Sequence, residues 1–205
     1  MKMKKAKGLL VVVSGPSGAG KGTICKDFLE KNKEAFLSIS ATTRKPRPGE
    51  VHGTHYYFLE EDNFKQMINE GGFIEWAQFC ENYYGTPKKA VTEKLESGND
   101  VILEIEVQGA MKVKEAFPEA VLVFVLPPSM SVLRERLTGR GTETPEVIEK
   151  RLNTALWELT IAEKYDYILI NDDVTAASKR LEGIIKAEKQ SVKRNNEFLK
   201  EFTQN

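Results

Sequence analysis

The run Leu9-Leu10-Val11-Val12-Val13-Ser14, followed by Gly15-Pro16-Ser17-Gly18-Ala19-Gly20-Lys21-Gly22-Thr23, constrains this chain more than any other segment. Five consecutive apolar residues ended by glycines are the pattern of a strand buried on both faces. From Ile24 to Asn32, apolar and charged residues alternate at helical spacing. Strand, glycine-rich turn and helix together open an α/β domain. The glycines let the turn curl until backbone N–H groups converge on a phosphate. The helix N-terminus adds partial positive charge, and Lys21 is placed to reach the outer phosphates of a nucleotide. The strict pattern has Ser or Thr directly after the lysine. Here Gly22 intervenes and Thr23 supplies the hydroxyl one residue later. All nine residues from Gly15 to Thr23 are therefore expected at a triphosphate.

The rest of the chain repeats the α/β rhythm. Further buried strands are expected at Asp100–Val107, Val121–Leu126 and Tyr167–Ile170, with helices at about Lys88–Ser97, Ser131–Leu137 and Glu146–Lys164. Alternation of this kind predicts a parallel sheet with right-handed crossovers. Thr144 is expected to cap the helix that Pro145 opens. A long amphipathic helix is expected from Asp172 to Phe202, started by its aspartates. Residues 39–87, rich in Thr, Arg, Gly, His, Tyr and Phe, break the rhythm and predict an inserted β-rich lobe, with a β-like piece at His55–Leu59. Residues 127–145, from Pro127-Pro128 through GRGTETP, have the composition of a mobile lid.

Composition narrows the function classes. Thirty basic and thirty acidic side chains cancel, so no global field draws the chain to nucleic acid or to a membrane. No apolar run approaches the roughly 20 residues of a membrane span. The lysine-flanked start leads into a strand too short for a signal sequence, and a cytoplasmic setting is expected. Cys25 and Cys80 form no motif and are read as thiols in a reducing compartment. His52 and His55 are spaced like a metal pair, but no cysteine or third histidine accompanies them.

Anion recognition must then come from local clusters. Arg44 and Arg47 lie in a segment that Pro46 and Pro48 keep extended, and guanidinium forks match phosphate oxygens. Tyr56 and Tyr84 can add hydroxyl donors. Glu75 is a lone carboxylate among large apolar neighbours. Guanine presents two adjacent donors, N1–H and the N2 amine, that one carboxylate accepts together; adenine would leave the carboxylate unpaired. Ser40 and Thr86 supply further hydrogen bonds to a base.

The segments SGPSGAGKGT, SATTRKPRPGEVHGTHYYF, GGFIEWAQFCENYYGT, LEIEVQG and GRGTET occur in this order, and together they resemble the guanylate kinase family from about Gly8 to Lys186. The resemblance implies a P-loop three-layer α/β fold with a parallel sheet, forming a single domain over 1–205. Its core would comprise about 1–38, 88–126 and 146–205, its GMP-binding lobe about 39–87 and its lid about 127–145. It implies transfer of the γ-phosphoryl group of ATP to GMP, and also to dGMP, in purine metabolism. Ser40, Arg44, Arg47, Tyr56, Glu75, Tyr84, Thr86, Glu104 and Glu106 would line the GMP site. The family commonly carries Asp where this chain has Glu106, so that carboxylate is extended by a methylene. Lys21, Arg44, Arg136, Arg140 and Arg151 would form the cationic catalytic set, and Asn171 and Asp172 part of the ATP site. Mg²⁺ would arrive with ATP, near Thr23 and Glu104, without a dedicated protein cage. The expected partners are ATP and GMP, with the protein a monomer or homodimer. Two related kinds of chain share such a core. An interaction module with a degraded phosphate loop is disfavoured by the intact loop and Lys21. A ribose-bisphosphate kinase is disfavoured by the set Ser40, Glu75, Tyr84 and Thr86.

Overall fold

In the computed structural model, residues 7–79, 81–139, 144–196 and 199–200 are described. The chain forms two units, one of Met1–Val12 with Glu34–Ala120, the other of Val13–Lys33 with Val121–Asn205. The strand expected at the start is β1 (Leu10–Ser14), buried at every position. It belongs to a five-stranded sheet of order β2-β7-β1-β8-β9, whose other strands are β2 (Phe36–Leu37), β7 (Val101–Glu104), β8 (Val121–Leu126) and β9 (Tyr167–Ile170). β2 runs parallel to β7, and β8 parallel to β9 with Val123 opposite Tyr167 and Leu126 opposite Ile170. No described helix is long and apolar enough to cross a membrane.

The first unit also holds a second sheet, in the order β4-β3-β6-β5. Its strands are β3 (Ala41–Thr42), β4 (Tyr57–Phe58), β5 (Phe73–Phe79) and β6 (Asn82–Pro87). Two helices in this unit escaped the sequence reading. α2 (Glu61–Asn69) carries Glu61 and Asp62 in its first turn, where the helix dipole favours anions. It buries Phe64, which stacks on Phe73 at 4.4 Å between ring centroids and on Tyr83 at 5.5 Å. α3 (Lys88–Glu96) falls where expected. β7 stops at Glu104, however, rather than running to Val107, and Val107 opens α4 (Val107–Ala116). Val107, Ala110 and Val113 are buried one helical turn apart. Their apolar character extended a strand pattern that periodicity alone cannot distinguish from the start of a helix.

In the second unit α1 (Lys21–Lys31) lies against α7 (Val174–Lys189). α5 (Met130–Thr138) and α6 (Pro145–Leu159) share a core of Leu133, Leu137, Ile148, Leu152 and Ala155. The expected helix over Glu146–Lys164 ends at Leu159, and a separate 3₁₀ turn covers Ala162–Lys164. Pro145 takes the first helical position of α6, but the Thr144 side chain makes no capping bond. Its hydroxyl instead donates to the Glu146 carboxylate, which the Glu146 backbone N–H and then this bond hold below the usual range. Asp173, not Asp172, caps α7, accepting from the Ala176 N–H at 2.8 Å. α7 stops at Lys189, well short of Phe202. Asn195 Nδ2 donates to the Lys189 and Ser191 carbonyls, each at 2.9 Å, so a side chain satisfies helix-end acceptors there. Cys25 is buried. Cys80, Arg140 and Phe202 lie outside the described residues.

Candidate functional site

The phosphate loop belongs wholly to the second unit. Gly20 has φ 89°, a left-handed conformation that side-chain-bearing residues rarely adopt, and α1 begins at the next residue. A Cβ there would also lie 2.3 Å from Asn171 Nδ2. That nitrogen donates to the Ala19 carbonyl at 2.7 Å, and the Asn171 N–H donates to the Leu126 carbonyl at 2.7 Å. Asn171 is 3% exposed, so the end of β9 is tied into the loop from beneath. Arg136, from α5, donates to the same Ala19 carbonyl at 3.3 Å and to the Asn171 carbonyl at 2.9 Å. Arg151, from α6, donates to the Ser17 hydroxyl at 3.1 Å.

Lys21 folds back across the loop, donating to the Gly15 carbonyl at 2.6 Å and the Pro16 carbonyl at 3.1 Å. Pro16 and Ala19 are buried, whereas Ser17, Gly22 and Thr23 are exposed and Gly18 is half-buried. Lys21, Arg136 and Arg151 thus bond to the loop itself. Asp172 stands at the surface, held by both nitrogens of Arg180 at 2.6 and 3.1 Å. These bonds, and one from the Asp173 N–H, keep its carboxyl well below the usual carboxylate range. Arg180 also donates to the Ile170 carbonyl at 2.9 Å. Sequence reasoning missed Arg180, because nothing on the exposed face of α7 distinguishes it from the neighbouring Lys179.

The other set of expected residues belongs to the first unit. Pro48 and Gly49 form the centre of a turn closed by the Glu50 N–H to the Arg47 carbonyl at 3.0 Å. Gly49, at φ 85°, supplies the positive φ that the third position of such a turn requires. The turn returns Glu50 to Arg44, whose two terminal nitrogens each donate to one carboxylate oxygen at 2.9 Å. The Arg47 N–H donates to the same carboxylate at 2.7 Å, while the Arg47 side chain is exposed. Arg44, and then the Arg47 N–H, hold the Glu50 carboxyl down at about 2. The Arg44 N–H donates to the buried Thr42 hydroxyl at 3.1 Å, and its guanidinium lies 5.5 Å from the centre of the Tyr56 ring. Tyr56 meets Tyr84 edge to face at 6.3 Å, and burial raises its phenol above the ordinary range. Glu50, Tyr56 and Tyr84 therefore form one cluster with Arg44, and the place of Glu50 in the GE end of the motif had suggested no role.

Glu75 is 8% exposed, and its Oε1 accepts from the Thr86 hydroxyl at 2.7 Å. The pairing of Trp76 with Gly85 sets Glu75 beside Thr86 across the antiparallel β5–β6 pair. The register shifts by one residue between Phe73 and Trp76. A bulge there re-aims side chains, and Phe73, Ile74 and Glu75 are all buried where plain alternation would expose one of them. Burial raises the Glu75 carboxyl, and the Thr86 hydroxyl and the charge of Lys112 oppose that rise. Ser40 is half-buried, and its carbonyl accepts from the Tyr57 N–H at 2.8 Å. Glu104, the last residue of β7, and Glu106, just before α4, are exposed, and the charge of Glu104 acts on Tyr56.

Comparison with known proteins places the chain among relatives of one family. The family model described as guanylate kinase matches residues 7–188. A guanylate kinase of Caldanaerobacter subterraneus subsp. tengcongensis is 57% identical over 194 residues, covering 95% of this chain and 94% of the relative. One of Clostridioides difficile is 54% identical over 193 residues, covering 94% of each. The crystal structure of guanylate kinase from Anaplasma phagocytophilum superposes with a TM-score of 0.75 at 33% identity, over 94% of this chain and 92% of that one. Matched from residue 7 to 188 and more than half identical to two such relatives, the chain belongs to the guanylate kinase family.

Proposed function

We propose that this chain transfers the γ-phosphoryl group of ATP to GMP, giving ADP and GDP, and accepts dGMP in the same site. The observation that carries the base specificity is the buried Glu75 carboxylate paired with Thr86. A buried carboxylate costs several kcal/mol unless its partners are right, and guanine offers the two adjacent donors that complete it. Adenine has no such pair. Arg44, with Tyr56 and Tyr84, takes the phosphate of GMP, assisted by Arg47; Ser40, Glu104 and Glu106 complete that side.

The acceptor oxygen of a nucleotide monophosphate is already ionised at neutral pH, so positioning and charge neutralisation account for catalysis. Lys21, resting on two loop carbonyls, swings to the β and γ phosphates of ATP as the loop N–H groups take them. Arg136 and Arg151 lie against the same loop and stabilise the charge on the transferring group. Arg140, outside the described residues, is assigned to the same cationic set by its match to the family motif. Asn171 and Asp172 hold the nucleoside end of ATP.

Among the described residues no group of three or more His, Cys, Asp or Glu side chains is gathered for a metal. The Thr23 hydroxyl, exposed in the second unit, and the Glu104 carboxylate, exposed in the first, are oxygen donors of the kind that would suit a Mg²⁺ arriving with ATP. When bound with ATP, Mg²⁺ would supply neutralisation of phosphate charge. We assign residues 1–205 to one kinase domain, with the GMP lobe at about 39–87 and the lid at about 127–145.

The test is ADP release from Mg-ATP with GMP, dGMP, AMP, CMP, UMP or ribose 1,5-bisphosphate as acceptor. Rapid turnover confined to the guanine nucleotides is expected. Turnover with the ribose bisphosphate in place of GMP would overturn the base-site reading while sparing the phosphate loop.

A further inference from the structure

The LEIEVQG segment contributes more than a strand end. Its last residue, Gly109, lies in the first turn of α4, one helical step before Lys112, so the two share a face. That face packs on β5. A Cβ on Gly109 would stand 3.2 Å from Glu75 Oε2 and 3.5 Å from its carboxyl carbon. Contact that tight requires the carboxylate to give way by a few tenths of an ångström, so a glycine here leaves it undisturbed. Three residues on, Lys112 Nζ donates to the Trp76 carbonyl at 2.6 Å, and the same ammonium lies 5.6 Å from the centre of the Trp76 ring. Glu75, Trp76 and Lys112 border one cavity of about 300 Å³.

We propose that Gly109 and Lys112 are positioning residues for guanine recognition: Gly109 leaves the space that the Glu75 carboxylate occupies, and Lys112 pins β5 next to it and keeps a positive charge beside it. The inference rests on Glu75 being the base-reading carboxylate. A protonated Glu75 offers one acceptor where guanine brings two donors, so the site works only while this buried group stays ionised. Burial opposes ionisation, and the Thr86 hydroxyl and the Lys112 charge favour it. The other charges on neighbouring elements are engaged elsewhere or stand in solvent. On α3, Lys94 lies over the Phe36 ring and Lys89 pairs with Glu93, while Lys88 and Glu96 are exposed. On α4, Lys114 donates to the Ala120 carbonyl, and Glu115 is exposed. The strand β6 brings tyrosines, and Glu81, Glu104 and Glu106 are exposed.

The experiment measures KM for GMP and kcat from pH 5.5 to 9 in the wild type, Lys112→Met, Lys112→Arg, Gly109→Ala and Glu75→Gln. Because the substrate is common to all, its own titration cancels from the comparison. In Lys112→Met the rise of KM toward acid pH should begin about one pH unit higher, the size expected for loss of a nearby opposite charge. KM should then exceed wild type by up to about tenfold, the most a one-unit shift allows, at the acid end of the range and converge on it at the alkaline end, with kcat at saturating GMP unchanged. Lys112→Arg should restore the wild-type profile. Gly109→Ala should raise KM for GMP at every pH without lowering Tm, since alanine favours the helix. Superimposable profiles for Lys112→Met and wild type, or an unchanged KM in Gly109→Ala, would overturn the inference, provided Glu75→Gln has lost its preference for GMP. If Glu75→Gln keeps that preference, the reading of Glu75 itself fails.

Discussion

Replacing Thr86 by valine keeps its shape and removes one hydroxyl. Thr86 is 1% exposed and Glu75 8%, and their hydrogen bond is 2.7 Å long, so water cannot easily replace the lost donor. A hydrogen bond to a charged group contributes about 1.5–3 kcal/mol, and one between neutral groups about 0.5–1.5 kcal/mol. Burial already places the Glu75 carboxyl above its ordinary value of 4.5. A raised carboxyl contributes stability that is full at acid pH and lost as pH rises through its folded value; without Thr86 that value rises further. The cost of Thr86→Val should therefore be about 1.5–3 kcal/mol at pH 8 and shrink to about 0.5–1.5 kcal/mol near pH 4.5. Urea unfolding at both pH values measures it, in a Trp157→Phe background that leaves Trp76, on β5, as the sole tryptophan. Thr86→Ser should be near wild type. A cost below about 0.5 kcal/mol, or one equal at both pH values, would refute the view that this hydroxyl supports an ionised carboxylate.

Other perturbations separate the remaining parts. Lys21→Ala should lower kcat by about 100- to 1,000-fold with Tm near wild type, and near-normal turnover would remove Lys21 from the phosphate site. Asn171→Ala leaves the Ala19 carbonyl with the longer Arg136 bond alone and should raise KM for ATP about three- to tenfold while leaving KM for GMP alone; the reverse pattern would contradict its place under the loop. Glu50 titrates at about 2 in the folded protein against 4.5 ordinarily, so the stability it contributes is present above pH 4.5 and lost as pH falls toward 2. The Tm gap between wild type and Glu50→Gln should accordingly be open at pH 6 and closed near pH 2. A gap of constant size would show that Glu50 acts through shape alone.

The phosphate loop was legible because strand, turn and helix follow one another within fifteen residues, and each has a local signal. Glu75 could be picked out as a lone carboxylate, but its burial could not be foreseen, because a bulge between Phe73 and Trp76 breaks the alternation from which strand faces are read. Glu50 was visible only as the end of a motif. Its role depends on a turn that brings it back to Arg44, and the contact exists only once Gly49 has taken a positive φ. Gly109 and Lys112 were hidden for a different reason. Their importance lies in what α4 packs against, more than thirty residues away in sequence, and the start of α4 was itself absorbed into a strand.

With Arg44 proposed to take the phosphate of GMP, its closed fork with Glu50 changes what that phosphate would meet. A bare arginine is a monopole, felt over a Debye length and weakened by every increment of salt. Arg44 already carries its own counter-charge, so its field at a distance is that of a dipole and falls off steeply. Capture at this position then depends on the direction of approach more than on total charge. Ionic strength weakens the internal pair and the incoming contact together, and KM for GMP should vary with salt less than a lone arginine would dictate. An inorganic anion of equal charge but the wrong shape gains little from such a site.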